Sequence, residues 1–295
     1  MLTHLNNERR FPPRTVIVGA RGFVGDAIAQ GLRAAGAPVL ALTREQVDLL
    51  APDAADVLQS LLQPHDAVVV AAARAPCKDL AMLIDNMIMT KTMLAAFTRV
   101  PLSHVVNVSS DAVYADEPIP ISESTPAAPT TLHGAMHLAR EIAFGAELKP
   151  PLAMLRPSLL YGADDPHNGY GPNRFRRQAN AGEDILLFGE GEERRDHVLV
   201  DDLAEIAVRV LARRSSGVLN VATGTVHSFR AVAEQVVAVA PRKVAIGSRP
   251  RQGPMPHKGY RPFDIAACRV AFPDFSFTAL ADGVMKSQRN MTGQG

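Results

Sequence analysis

At 295 residues with 47% hydrophobic content, the chain can bury a full core as one large or two smaller domains, and it is too apolar to be disordered. A formal net charge of +1, with acidic and basic residues mixed throughout, gives no electrostatic footprint for nucleic acid or an anionic membrane surface and favours a small-molecule partner. Cys77 and Cys268 are too few and too far apart for a disulfide framework or a multi-cysteine metal site, so both are expected to be reduced. Met1 to Arg10 is polar rather than signal-like, and no uninterrupted apolar run approaches the roughly 20 residues that span a bilayer. A cytoplasmic protein with no membrane partner is the expectation.

The first strong signal is Thr15 to Gly25. The β-branched run Thr15 to Val18 reads as a buried strand, and Gly19, Gly22 and Gly25, spaced G-x-x-G-x-x-G, lead into an amphipathic helix from Phe23 to Ala35. Glycine allows a sharp turn and close approach to a pyrophosphate, while the amides of a helix start favour negative charge. Such spacing is weak by itself, but its place between strand and helix favours dinucleotide binding over a merely structural turn. Val39 to Leu42 is the next strand, followed by Thr43-Arg44. A carboxylate at that point would hold the ribose of NAD, whereas an arginine suits the extra phosphate of NADP. Arg44, with Arg21 as a second positive charge, therefore favours NADP, with NAD as the alternative cofactor if both arginines are merely solvated. Asp48 could contact adenine or cap the segment after it.

Ala67 to Ala73 is an apolar strand stopped by Arg74, Leu80 to Phe97 has helical periodicity, and His104 to Val108 is strand-like before Ser109-Ser110-Asp111. Leu132 to Leu148 reads as a helix ended by Pro150-Pro151, and Leu152 to Leu155 as one more strand. Strands alternating with helices predict an α/β fold, a doubly wound parallel sheet covered on both faces. After Arg156-Pro157 the composition shifts. Asp164 to Pro172 is rich in Gly, Pro and Asp, and Arg249 to Pro262 is basic and proline-rich, which reads as a lid or second lobe. Asp201-Asp202 precede an apolar helical pattern and are expected to cap it.

Taken in order, Gly19 to Gly25, Leu42-Thr43-Arg44 with Asp48-Leu49, Asp66 to Ala73, Ser109-Ser110-Asp111 to Tyr114, Arg156-Pro157 with Tyr161-Gly162, and Gly189-Glu190-Gly191 followed by Arg194 to Asp202 resemble extended short-chain dehydrogenases/reductases. More narrowly, the chain resembles the NAD(P)-dependent epimerase/dehydratase family that works on nucleotide sugars, over about residues 14–285. Around Arg44 to Asp48 and Ser110-Asp111 it is especially similar to dTDP-4-dehydrorhamnose reductases. The resemblance implies a Rossmann domain at 12–163 to which 198–224 returns, and a smaller C-terminal α/β substrate lobe from 164–197 and 225–295. It implies cofactor contacts from Gly19, Arg21, Gly22, Phe23, Val24, Gly25, Thr43, Arg44, Asp48, Ala71 and Ala72. A homodimer through the helices at Leu80 to Phe97 and Leu132 to Leu148 is a further implication.

The family's chemistry uses a Ser/Thr and a Tyr-x-x-x-Lys pair. Ser110 matches the first, but alignment of Pro129 to Glu141 places His133 at the tyrosine and His137 at the lysine. An unperturbed histidine titrates near pH 6.5 and can do acid/base work without a cationic neighbour. At i and i+4, His133 and His137 share one helix face. They could serve as acid/base and cofactor-ribose ligand, they could bind a metal with Asp111 or Glu141, or the site could have lost its chemistry. Tyr114 and Tyr161 are poorer replacements for the phenol. Substrate contacts are implied for Ser110, Asp111, Asn173, Arg195 and Arg251, the two arginines clamping a nucleotide-sugar diphosphate. For Arg195 the competing reading is an ion pair with Asp196 or Asp202, for Arg251 a solvated charge, and Asn86 is expected to be structural. Two functions stay open: an oxidoreductase or epimerase acting on a nucleotide-linked sugar, and a cofactor-binding protein without turnover that regulates or scaffolds.

Overall fold

In the computed structural model, which describes residues 1–116 and 119–291, the short β-branched runs are strands and the apolar repeats between them are helices. β1 (Leu2–His4) precedes β2 (Thr15–Val18), α1 (Phe23–Ala34), β3 (Val39–Leu42), α2 (Ala54–Leu61), β4 (Ala67–Val70) and α3 (Leu80–Phe97). β5 (His104–Val108), α4 (Leu132–Glu147) and β6 (Leu152–Pro157) follow. Next come β7 (Leu159–Tyr161), α5 (Pro172–Ala181), β8 (Ile185–Phe188), β9 (Arg194–Leu199), α6 (Val200–Ala212) and β10 (Ser215–Val221). The chain ends with β11 (Val226–Ser228), α7 (Phe229–Val239), β12 (Ile246–Arg249), β13 (Tyr260–Arg261), α8 (Ala266–Ala271) and α9 (Leu280–Met291).

The large sheet has the order β1-β10-β6-β5-β4-β2-β3, parallel throughout except for β1 against β10. Alternation along the strands feeds two cores. Ile17, Val69 and Val106 pack with Ile28, Leu32 and Ile206 under α1 and α6, while Val16, Val68 and Val105 pack with Leu58, Met93 and Phe144 under α2, α3 and α4. From β2 the chain first moves outward to β3 and then crosses to β4 on the other side. That reversal opens a crevice at the carboxyl ends of the strands. Val18 pairs with both Leu42 and Val70, so the loops after β2, β3 and β4 leave the sheet at one level. The smaller layer is built from β7, β9, β11 and β13, with β8 pairing β12, over a core that includes Phe175, Phe229 and Leu280.

Tertiary structure corrects two local readings and adds one edge strand. Strand β4 stops at Val70, and Ala71 to Ala73 form a loop after it. The polar N-terminus supplies an edge strand, pinned by His4 to Ser215 Oγ at 2.8 Å and to the Ala271 carbonyl at 2.9 Å. Neither Asp201 nor Asp202 caps α6: Asp201 pairs with Lys286, and Asp202 accepts from the amide and hydroxyl of Thr278, both at 2.8 Å. α3, interrupted by Asp85 and Lys91, is nonetheless long and apolar enough by length and composition to cross a membrane, with a mean hydropathy of 1.3. In this fold it lies on the sheet with Met93, Leu94 and Phe97 buried.

Two histidines are sealed in the interior. The ring of His104 reaches the Ser215 carbonyl at 2.7 Å, and neither ring nitrogen of His197 has a partner among the described residues. Burial pushes their pKa values down to about 4 and about 3. The unfolded chain takes up these protons below about pH 6.5 while the folded chain resists them, so stability is full above that pH and is lost as pH falls toward 4 and 3. At pH 5 each group costs on the order of 2 kcal/mol. The urea midpoint should therefore fall between pH 7 and pH 5, and His197→Phe should shrink the fall. A midpoint independent of pH over this range would contradict the burial of neutral imidazoles.

Candidate active site

The glycine turn is shaped by close packing. Gly19 has φ of +92°, and a Cβ there would lie 2.6 Å from the Ala72 nitrogen. A Cβ on Gly25, in the first turn of α1, would lie 2.2 Å from the Gly19 carbonyl oxygen. The Gly22 amide donates back to that oxygen at 3.1 Å, and Gly22, which N-caps α1, offers no capping side chain. The first-turn amides of Phe23, Val24 and Gly25 thus keep their affinity for an anion. Beside them a cavity of about 430 Å³ is lined by Gly19, Arg21, Gly22, Thr43, Arg44, Asp48, Ala71, Ala72 and Met89. A cavity of that size and position at a helix start fits the adenosine end of a dinucleotide. Both arginines already have carboxylate partners: Arg21 pairs with Glu45, and Arg44 donates to Asp48 at 3.0 and 3.2 Å. The Leu50 amide and Arg44 hold the Asp48 carboxyl below its ordinary range. Asp48 thus ties its own loop together.

Ser110 N-caps a short 3-10 turn, Asp111–Val113, its Oγ accepting the Ala112 amide at 3.1 Å. Asp111 Oδ1 lies 3.5 Å from that Oγ, too far to hold the hydroxyl proton firmly. The other carboxylate oxygen of Asp111 and its backbone carbonyl both accept from Arg261, each at 2.6 Å, across 150 residues of sequence. Arg261 is 1% exposed, so this ion pair bolts the Ser110 turn to the C-terminal segment.

α4 begins at the Thr131 N-cap, whose hydroxyl accepts the Gly134 amide at 3.1 Å. A Cβ on Gly134 would stand 1.9 Å from the Ala112 carbonyl oxygen, so the helix start is seated directly on the Ser110 turn. This contact puts His133 beside that turn. His133 Nδ1 accepts the Cys77 amide at 3.4 Å, and its ring meets His137 edge-on with centroids 4.7 Å apart. Burial lowers the His133 pKa against the opposing pull of Asp111. His137 is 5% exposed, its Nδ1 has no partner among the described residues, and burial, His133 and Arg140 push it well below 6.5. Both imidazoles are neutral at neutral pH. The carboxylates that could have completed a metal site are committed, Asp111 to Arg261 and Glu141 to Arg156 at 2.9 and 2.5 Å. Among the described residues no three His, Cys, Asp or Glu side chains converge to hold a metal.

Neither tyrosine offers a free phenol to the Ser110 cleft. Tyr114 donates to Asn220 at 2.8 Å and accepts from Arg156 at 2.8 Å, while the buried Tyr161 oxygen faces α9 at Gly283. Asn86 holds the Arg74 backbone at both its amide and its carbonyl. Asn173 is 5% exposed and internally engaged, accepting from the Gly162 amide at 3.2 Å and donating to Asp165.

Arg195 and Arg251, distant in sequence, meet at Glu193. Its two oxygens lie 3.4 and 3.3 Å from the guanidinium groups, and the carboxylate is 3% exposed. Asp196 is taken by Ser158, Thr223 and Gly224 and Asp202 by Thr278, so the ion pair of the competing reading for Arg195 forms with Glu193 instead. Arg249 and Arg251 stack over Phe188 at 4.2 and 5.8 Å, and Nε and Nη2 of Arg251 are buried without partners among the described residues. Glu193 binds both arginines through single long contacts, which leaves Arg251 donors for a diphosphate. Glu45, Glu193 and Arg261 carried no sequence signal, because each acts only through its spatial partner.

Residues 15–222 match the NAD dependent epimerase/dehydratase family. A curated relative, dTDP-4-dehydro-6-deoxy-D-allose reductase of Streptomyces bikiniensis, is 26% identical over a 279-residue alignment spanning 79% of this chain and 83% of that protein. UDP-N-acetylglucosamine 4-epimerase from Bacillus cereus superposes with a TM-score of 0.82 at 24% identity, covering 95% of this chain and 96% of that one. UDP-glucose 4-epimerase of Thermus thermophilus, solved with NAD, gives 0.81 at 23% identity, covering 95% and 99%. At these identities the structural likeness concerns the fold.

Proposed function

The chain belongs to the NAD dependent epimerase/dehydratase family, and from that premise we propose that it moves hydride at a carbon of a nucleotide-linked sugar, using NADP(H), with Ser110 and His133 at the reacting oxygen. One observation carries the reading: Gly134 sits so closely on Ala112 that α4 begins against the Ser110 turn, with His133 near enough for the Asp111 charge to act on its ring. The curated relative, by its name a reductase of a dTDP-linked sugar, and the UDP-sugar epimerase structures support the substrate class.

The glycine turn and the α1 amides would hold the cofactor diphosphate, Ala71 and Ala72 the floor of its cleft, and the unpartnered His137 Nδ1 a ribose hydroxyl. When bound, the nicotinamide supplies or accepts the hydride. Because His133 Nδ1 accepts the Cys77 amide, the neutral ring carries its proton on Nε2. Ser110 Oγ and His133 Nε2 then both donate to a keto oxygen and stabilise the alkoxide that forms as hydride adds, with the proton following from solvent. Arg195 and Arg251 would take the diphosphate of the sugar nucleotide. Residues 12–163 with 198–224 would serve the cofactor, and 164–197 with 225–295 the substrate. A second reading, binding without turnover, is supported by the alignment that puts His133 and His137 where the family carries its tyrosine and lysine. NADPH oxidation against a panel of dTDP- and UDP-4-keto sugars separates the two: turnover that is lost in Ser110→Ala supports the enzyme, and tight cofactor binding with no turnover on any member supports the second.

The cofactor preference follows from charge. Exposed ion pairs are weak, so a 2′-phosphate can draw Arg21 from Glu45 and Arg44 from Asp48. Arg44→Ala should raise the Kd of NADPH about tenfold and leave that of NADH within twofold. Equal weakening of both cofactors would remove the assignment. Leu80, Ile84 and Ile88 on α3 and Ile142 on α4 are 41–64% exposed and apolar. We propose that a second copy covers this face. Sedimentation should give the mass of two chains, and Ile84→Glu the mass of one; a single-chain mass for the unaltered protein would refute it.

A further inference from the structure

Arg140 lies on α4 one turn beyond His137 and is 1% exposed. Its three nitrogens donate to Thr90 Oγ1 at 3.2 Å, the Ala72 carbonyl at 2.9 Å and Asn86 Oδ1 at 3.4 Å. All three acceptors are neutral. No carboxylate among the described residues forms an ion pair with it, and the adjacent Glu141 is held by Arg156. Burial lowers its pKa to about 10, which leaves the group charged at neutral pH. A buried cation without a counter-ion is costly to keep. Each of its nitrogens makes one hydrogen bond, its charge acts on His137, and it stands behind the dinucleotide cleft, because Ala72 lines that cavity and packs against Gly19, and Asn86 fixes the Arg74 backbone that continues the same loop. The other charges near the cleft are paired: Asp111 with Arg261, Arg44 with Asp48, Arg21 with Glu45.

We propose that Arg140 is a positioning residue that does two things at once: it fixes the Ala71 to Arg74 loop, and its uncompensated charge biases the cleft toward the reduced nicotinamide. This rests on the cofactor reading above. An oxidised nicotinamide ring carries one positive charge. Taking a hydride, a hydrogen with the two electrons of the broken sugar C–H bond, makes the ring neutral. A fixed cation nearby raises the energy of the oxidised form alone. The expected size is roughly a tenfold change in the ratio of the two affinities, the Coulomb scale of one fixed charge at moderate range and an effective dielectric near 20.

The test is the pair of dissociation constants for NADP+ and NADPH, measured by calorimetry on the full chain and on Arg140→Lys and Arg140→Met. The unaltered protein should bind NADPH about tenfold more tightly than NADP+, Arg140→Lys should keep that ratio, and Arg140→Met should bring it close to one. If Arg140→Met weakens both forms equally, the residue only holds the loop and the electrostatic role is overturned. Should Arg140→Met fail to fold, the unaltered protein decides: a ratio of one or below overturns the proposal. Failure of the unaltered protein to bind either redox form would instead remove the cofactor reading and this inference with it.

Discussion

Replacing His133 with alanine should lower kcat by roughly 10²–10⁴-fold, the range usual for a group that supplies hydrogen bonding or protons at the reacting atom, while the Kd of NADPH changes less than twofold. The split follows from position. His133 stands on the Ser110 turn, whereas the residues that line the dinucleotide cavity come from the ends of β2, β3 and β4. The pH profile gives an independent reading of the same residue. Burial lowers the His133 pKa below 6.5, so activity should be level from pH 7 to 8.5 and decline only below about 6.5, as the ring protonates and the bond from the Cys77 amide is lost. An activity limb centred well above pH 9 would show a phenol at work and reject His133 in this role. Tyr114 and Tyr161 are both pushed upward by burial and would give such a limb.

Gly25→Ala should abolish cofactor binding and destabilise the fold by about 3 kcal/mol or more. Its added Cβ would stand 2.2 Å from the Gly19 carbonyl oxygen, 2.9 Å from the Gly19 carbonyl carbon and 3.1 Å from the Ala20 Cα. These are backbone atoms that cannot swing aside. Either α1 is pushed off the turn, which misdirects its first amides, or the turn itself opens. Gly145→Ala is the control, since among the described residues nothing lies within 4 Å of a Cβ there. That helical substitution should be neutral or stabilise the protein by about 1 kcal/mol. Thermal melts and NADPH titrations of the two variants check both halves. Binding by Gly25→Ala at unaltered affinity would mean that the anion does not sit against α1.

The legible parts of this chain are those whose cause is local. The unbroken apolar run Val16-Ile17-Val18 shows a strand buried on both faces, and Asp79, which caps α3 through the Met82 amide, marks the helix start that periodicity places at Leu80. The glycine spacing was readable as well, although its steric cause was not: Gly19 must clear Ala72, which lies in the loop after β4, two connections later. What stayed hidden depends on partners far away in sequence. Arg261 sits in a basic, proline-rich stretch that reads as a loop, yet it clamps Asp111. Asp202 looks like a helix cap and instead reaches Thr278, and Arg140 looks like a spacer between His137 and Glu141 while it holds the loop after β4.

The central claim is that a nicotinamide dinucleotide lies on the α1 start with its reactive end toward Ser110 and His133. Calorimetry on purified protein, titrated with NADPH and then with NADH, tests it most directly. The account predicts saturable one-site binding, tighter for NADPH than for NADH and lost in Gly25→Ala. Absence of measurable heat with either cofactor, in both oxidised and reduced forms, would contradict it.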